Sequence, residues 1–135
     1  MTTPSKTQPS KPLALVVDDD PSVRTAVQYM VSSLGWETQT VPSAAEALKQ
    51  LKIRHFNAVI ADVAMEGVDG IELCRLIHQE CGQAAPLVFM LSGYMDSATR
   101  NAAAKAGAKA FLRKPIGTLE FAEAFRNHGL PCTHP

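Results

Sequence analysis

LALVVDDDP, residues Leu13–Pro21, decides the fold. Five apolar residues in succession, without alternation, suit a strand buried on both faces of a sheet. The run stops at Asp18-Asp19-Asp20, and Asp20-Pro21 reads as a helix start. An acidic residue caps the first turn, and proline follows at the first helical position, where its missing N–H costs no hydrogen bond. A buried strand passing directly into a helix begins a crossover unit of a parallel sheet.

The pattern repeats outward from this stretch. The first helix carries Val23, Val27, Met30, Val31 and Leu34 on one stripe and stops at Gly35. Glu37–Val41 is a second strand, and Ser43 with Glu46 forms a capping box for a helix bearing Ala47, Leu48 and Leu51. Asn57–Ala61 is a third strand, buried and ending at Asp62. A loop through Asp69-Gly70 leads to a helix whose face is Ile71, Cys74 and Ile77. Pro86–Leu91 is the fourth strand; Ser97 opens an alanine-rich helix that closes at Ala106-Gly107. Ala110–Leu112 is a short fifth strand, and Thr118–Asn127 a last helix with Leu119, Phe121, Ala122 and Phe125 as its apolar residues. Five strands alternating with five helices imply an α/β, doubly wound parallel sheet covered on both faces.

There is no internal repeat and no room for a second domain. Residues 1–12, rich in Pro, Ser, Thr and Lys, are expected to be a disordered tail, residues 13–128 the domain, and residues 129–135 a C-terminal tail. The 135 residues are 46% hydrophobic and 19% charged, as in an ordinary globular domain. A formal charge of +0 supplies no global field to recruit nucleic acid or an anionic membrane. No apolar run reaches the ~18 residues of a membrane-spanning helix, and the N-terminus lacks a secretory signal, so a cytoplasmic location is expected. Cys74, Cys81 and Cys132 are odd in number and lack framework spacing, which favours reduced thiols. Cys74, His78 and Cys81 share one helix face and could be read as a metal site. Buried cysteine on an amphipathic helix is much the commoner explanation.

In doubly wound sheets, ligands sit beyond the carboxyl ends of the strands. Those ends carry Asp18-Asp19-Asp20 after strand one, Asp62 after strand three, Ser92 after strand four and Lys114-Pro115 after strand five. Acids converging on one rim repel, and a hard divalent cation with oxygen ligands, such as Mg²⁺, relieves the conflict. A carboxylate flanked by a cation, a lysine and a hydroxyl is equipped to receive a phosphoryl group, with Asp62 as nucleophile. Taken singly, each residue has an ordinary explanation: a helix cap, a turn serine, a solvated loop lysine. Their occurrence on four strand ends of one sheet is what points to chemistry.

Four segments carry a resemblance over about residues 13–127: LALVVDDDPSVR (Leu13–Arg24), VIADVAMEGVDGIEL (Val59–Leu73), VFMLSGY (Val88–Tyr94) and GAKAFLRKP (Gly107–Pro115). In order and spacing the chain resembles the CheY-like receiver domains of two-component response regulators. The resemblance implies a flavodoxin-like (βα)5 fold with strand order 2-1-3-4-5, and a phospho-switch rather than a turnover enzyme. It implies Asp62 as phosphoacceptor, Asp19 as direct Mg²⁺ ligand, Asp18 acting mostly through water, and the Ala64 backbone carbonyl as a further ligand. Ser92 matches the switch hydroxyl, Lys114 the lysine that pairs with a phosphoryl oxygen, and Phe111 the aromatic switch residue, for which a plain core phenylalanine is the lesser alternative.

Met65-Glu66 stands where the family usually has Met-Pro, which frees the loop backbone and adds an acid near the metal. Ala64 and Tyr94 match positions that tune water attack on the acyl phosphate; a methyl and a shielding ring lead one to expect a long-lived phosphorylated form. The implied partners are a histidine kinase or phosphotransfer protein and a downstream effector whose identity is not readable. A phosphorylation-dependent homodimer is one state the resemblance allows; no direct contact with nucleic acid or membrane is expected. The implied output surface spans the last two helices and strand five, where Arg100, Lys105, Lys109 and Arg113 are either partner contacts or ordinary solvated charge.

Three other readings compete. A haloacid-dehalogenase-like phosphatase would use Asp18 as nucleophile, but would want further acids late in the chain. A flavodoxin-type flavin module would need an anion cradle where three aspartates stand. A receiver used only as a binding module, without phosphorylation, would not need the acceptor, acids, hydroxyl and lysine together.

Overall fold

The computed structural model describes residues 11–93 and 96–133. Its elements run β1 (Leu13–Val17), α1 (Pro21–Ser32), β2 (Glu37–Val41), α2 (Ala44–Ile53), β3 (Ala58–Asp62), α3 (Gly70–Cys81), β4 (Leu87–Ser92), α4 (Ser97–Ala106), β5 (Ala110–Arg113) and α5 (Thr118–Asn127), with a short 3₁₀ turn at Gly82–Ala84. The strands pair in parallel in the order β2-β1-β3-β4-β5. The central strands β1, β3 and β4 are the most apolar and are almost wholly buried, because helices cover both faces of the sheet.

Alternate residues of each strand feed two separate cores. On one face Val16, Ile60, Phe89 and Leu91 meet Val27, Val31 and Leu34 of the α1 segment and Phe121, Ala122 and Phe125 of α5. On the other, Leu15, Val17, Val59, Ala61, Val88 and Met90 meet Ala44, Ala47, Leu73, Cys74, Ile77 and Ala103. The helix starts are capped as their sequences imply: Asp20 accepts from the Ser22 amide, and Ser43 from the Glu46 amide at 3.2 Å. Asp69 and Asp96 cap α3 and α4 in the same way. Helix α4 ends at Gly107, whose φ of +110° is left-handed; the His78 ring of α3 packs where a side chain would stand.

Three expectations change. Strands three and four are each displaced by one residue toward the C-terminus, so Asp62 and Ser92 are the last residues of β3 and β4. Leu119 is 69% exposed and is not part of the buried face of α5. It precedes Phe121 by two positions, about 200° around the helix, and so points away from the sheet. Residues 130–133, assigned above to a tail, lie against the body of the domain. Leu130 and Cys132 pack on the first core, the Thr133 amide donates to the Leu34 carbonyl, and the indole N–H of buried Trp36 donates to the Pro131 carbonyl at 2.7 Å. The Trp36 ring also stacks at 4.7 Å on Phe125. Of the N-terminal tail, residues 1–10 lie outside the described residues, as do Tyr94 and Met95.

Candidate functional site

Strand pairing places the chemistry. Val17 pairs with Val41 and Ala61, so Asp18 leaves β1 level with Asp62 at the end of β3. Asp62 lies beside Leu91, and Ser92 beside Arg113, which brings Lys114 onto the same rim. The Lys114 amide donates to the Ser92 carbonyl at 2.8 Å, and the Lys114–Pro115 peptide is cis.

Asp18, Asp62 and Lys114 converge. The Lys114 Nζ lies 2.9 Å from Asp62 Oδ2 and 3.6 Å from Asp18 Oδ2. Asp18 is 2% exposed and Asp62 7%, so a single lysine faces two carboxylates that have little water. The other oxygens are tied down locally: Asp62 Oδ1 accepts from the Ala64 amide at 3.3 Å, and Asp18 Oδ1 from the Asp20 amide at 2.9 Å. Arg24 Nη1 donates to the Asp18 carbonyl at 2.7 Å, bracing the turn from the first helix. Asp18 Oδ2 is buried and has no hydrogen-bond partner among the described residues.

Burial, together with the Asp62 carboxylate, pushes the Asp18 carboxyl above its ordinary value, although the Asp20 amide and Lys114 pull the other way. Burial by itself would lower the Lys114 ammonium, but its hydrogen bond to Asp62 and its attraction to the Asp62 and Asp18 carboxylates outweigh that and hold it above the ordinary lysine range. A folded carboxyl with a raised pKa binds its proton more tightly than the unfolded chain does. The resulting penalty is absent below the ordinary value of 3.8 and grows as pH rises through the raised value. In the presence of a chelator, Asp18→Asn should therefore stabilise the protein by about 1 kcal/mol at neutral pH. Denaturant melts should show that gain vanishing as pH falls below about 4; a variant less stable than wild type at neutral pH would contradict it.

Asp19 stands apart from this trio. It is exposed, and its Oδ2 accepts from the Glu66 amide in the β3–α3 loop at 3.1 Å. Among the described residues no three His, Cys, Asp or Glu side chains are grouped as ligands around one point. The structure thus brings Asp18 and Asp62 together through Lys114, while Asp19 borders the same rim on the loop side with Ala64 and Glu66. Ser92 is buried at the end of β4. Phe111 is half-buried on β5, with the Arg100 guanidinium of α4 5.2 Å above its ring. The cysteine–histidine face of α3 has a different use: Cys74 is buried, its Sγ 3.4 Å from the Ala106 carbonyl, and desolvation pushes its thiol up to about 11.

Sequence reasoning passed over Arg24, Gly70 and the Glu66 amide. The Arg24 bond ends on a main-chain carbonyl and the Glu66 bond starts from a main-chain N–H, so no side-chain pattern announces either partner. Gly70 was visible only as a turn residue. It is buried at the start of α3, and a Cβ there would stand 2.2 Å from the Asp62 carbonyl oxygen.

Comparison with known proteins identifies the family and the fold. The response regulator receiver domain model matches residues 14–126. A 14.6 kDa protein from Leptolyngbya boryana, encoded in the sodA1 3' region, is 35% identical over 107 residues, covering 78% of this chain and 81% of that one. The probable transcriptional regulator ycf27 of Cyanophora paradoxa is 31% identical over 118 residues, 87% of this chain. The chain spans only 48% of that regulator, and 22% of the nitrogen assimilation regulatory protein NtrX of Azorhizobium caulinodans. Among solved structures, a putative response regulator from Chloroflexus aurantiacus superposes with a TM-score of 0.81 at 30% identity, covering 87% of this chain and 97% of that one. The chemotaxis protein CheY4 of Vibrio cholerae superposes with a TM-score of 0.82 over 87% of this chain and 98% of its own; at 23% identity this is a likeness of fold. With five parallel strands in the order 2-1-3-4-5 and the family model spanning nearly all of the sheet and its helices, this chain belongs to the response regulator receiver domain family.

Proposed function

We propose that this chain is a cytoplasmic phospho-switch of a two-component system, taking a phosphoryl group onto Asp62 from a histidine kinase or phosphotransfer protein. The observation that carries the reading is the bracketing of Lys114 by Asp62 and Asp18 at the carboxyl rim of the sheet. In phosphotransfer, an Asp62 oxygen attacks phosphorus, the O–P bond forms as the donor's P–N bond breaks, and the imidazole leaves with the electron pair. Lys114 is placed to move its contact from the carboxylate to a phosphoryl oxygen. The Ala64 amide keeps the second Asp62 oxygen oriented, so that the nucleophile is presented in one geometry.

The residues suit Mg²⁺. The donors are all oxygen, as a hard cation prefers, and the buried Asp18 Oδ2 lacks a hydrogen-bond partner among the described residues. Asp18, Asp19, Asp62 and the Ala64 carbonyl would hold the ion. When bound, it supplies positive charge for the phosphoryl oxygens and for the crowded carboxylates. Phosphorylation adds about −1.5 to −2 charge at this rim. Ser92, at the end of β4, and Phe111, on β5, are proposed to carry the change to the α4-β5-α5 surface, where an effector or a second copy would read it. Ala64 offers no side-chain hydrogen bond to an attacking water, in keeping with a long-lived phosphorylated form. Its other proposed determinant, Tyr94, lies outside the described residues.

The test is phosphorylation by a phosphohistidine donor or a small acyl phosphate, with and without Mg²⁺. Wild type should gain one alkali-labile, hydroxylamine-labile phosphate, and Asp62→Asn none. Binding of a partner by wild type and Asp62→Asn alike, with neither labelled, would replace this reading with that of a phosphorylation-independent binding module.

A further inference from the structure

The residue after Met65 is the place where this chain departs from the receiver pattern, having Glu66 where the pattern usually has proline. The main-chain N–H that this substitution restores is in use: it donates to Asp19 Oδ2 at 3.1 Å, joining the β1–α1 turn to the β3–α3 loop 47 residues away. Proline has no N–H and could not form this bond. The bond also accounts for an oddity of the rim. Asp18 and Asp62 share Lys114, while Asp19 lines an open hollow together with Ala64, Met65, Glu66 and Asp69. No three acids among the described residues are grouped around one point.

We propose that the Glu66 amide is a positioning group that holds the Asp19 carboxylate on the loop, so that a divalent cation binds only in competition with this bond. Holding one of three acids away from the other two lowers their mutual repulsion while no cation is present. Capture of the cation then requires Asp19 Oδ2 to exchange its amide donor for the ion. The inference rests on the proposed Mg²⁺ site and adds a chain-specific control over its affinity.

Glu66→Pro and Glu66→Ala separate the amide from the side chain. Both remove the carboxylate, but only proline removes the N–H. Mg²⁺ titrated into each protein and followed by calorimetry should bind Glu66→Pro about 3- to 10-fold more tightly than Glu66→Ala, the worth of one exposed charge-assisted bond. Equal affinity, or weaker binding by the proline variant, overturns the proposal. Wild type gives a second measurement that does not depend on the proline variant folding. Its Glu66 amide resonance should be shifted and slow to exchange without metal, and should lose both properties as Mg²⁺ is added; an amide indifferent to Mg²⁺ overturns the proposal while leaving the site intact. If wild type takes up no Mg²⁺ at all, the cation reading of the rim falls, and this proposal with it.

Discussion

Gly70→Ala is expected to cost about 3 kcal/mol or more of folding stability and to reduce phosphorylation of Asp62 at least about tenfold. Gly70 is the first residue of α3, and its amide donates to the Val63 carbonyl at 3.0 Å, so the helix start is fastened to the strand end. An added methyl carbon would lie 2.2 Å from the Asp62 carbonyl oxygen, 2.9 Å from the Asp62 carbonyl carbon and 2.6 Å from Met90 Cε. A methionine side chain can move aside, but the backbone of a central strand cannot without loosening β3 from β1 and β4. Either α3 lifts or the Asp62 peptide turns, and each outcome misplaces the proposed nucleophile. Shortening Met90 in the same protein should recover little, because the tighter contact is to main chain. Denaturant midpoints and initial labelling rates check both parts. A variant within about 1 kcal/mol of wild type would mean that the helix start yields more readily than the packing implies.

Lys114→Met should lower the phosphorylation rate by about 10²- to 10³-fold, the usual consequence of removing one preorganised donor to developing negative charge. Methionine retains most of the apolar stem, so the change removes chiefly the ammonium. Two buried carboxylates then face each other uncompensated. Lys114 keeps 27% side-chain exposure, so water softens the penalty to about 1–2 kcal/mol at neutral pH. The sign with pH follows from Asp18, whose carboxyl is already raised and rises further without the lysine. The deficit is largest where Asp18 is charged and narrows as acid protonates it. Mg²⁺ should restore stability by mass action but not the rate, since a cation on the acids does not replace the lysine's contact with the phosphoryl group. Restoration of both by Mg²⁺ would show that Lys114 acts only as a counter-ion.

Much of this arrangement is legible without coordinates because its determinants are local. Leu13–Val17 and Ala58–Asp62 show as unbroken apolar runs, and Asp20-Pro21 and Ser43 as caps, since the buried face and the first turn are set by neighbours in the chain. Asp18, Asp62, Ser92 and Lys114 were recognisable because each ends or follows a strand, and a parallel sheet brings such positions together. Non-local contacts were not legible. Trp36 is buried against Phe125 and Pro131, 89 and 95 positions further on, and belongs to no periodic stripe. Leu119 shows the limit of composition: it counts among the apolar residues of α5, yet its angular position on the helix turns it outward.

The clasp between Trp36 and Pro131 has a practical consequence. Trp36 is the sole tryptophan of the 135 residues, and it sits beside the start of β2, at the opposite end of the sheet from the acids, about 17 Å away for a strand of five residues. Indole emission from this protein is therefore a gauge of how residues 130–133 grip the body of the domain, with negligible direct quenching by whatever occupies the acidic rim. A change in that emission on phosphorylation would register a signal carried through the full length of the strands.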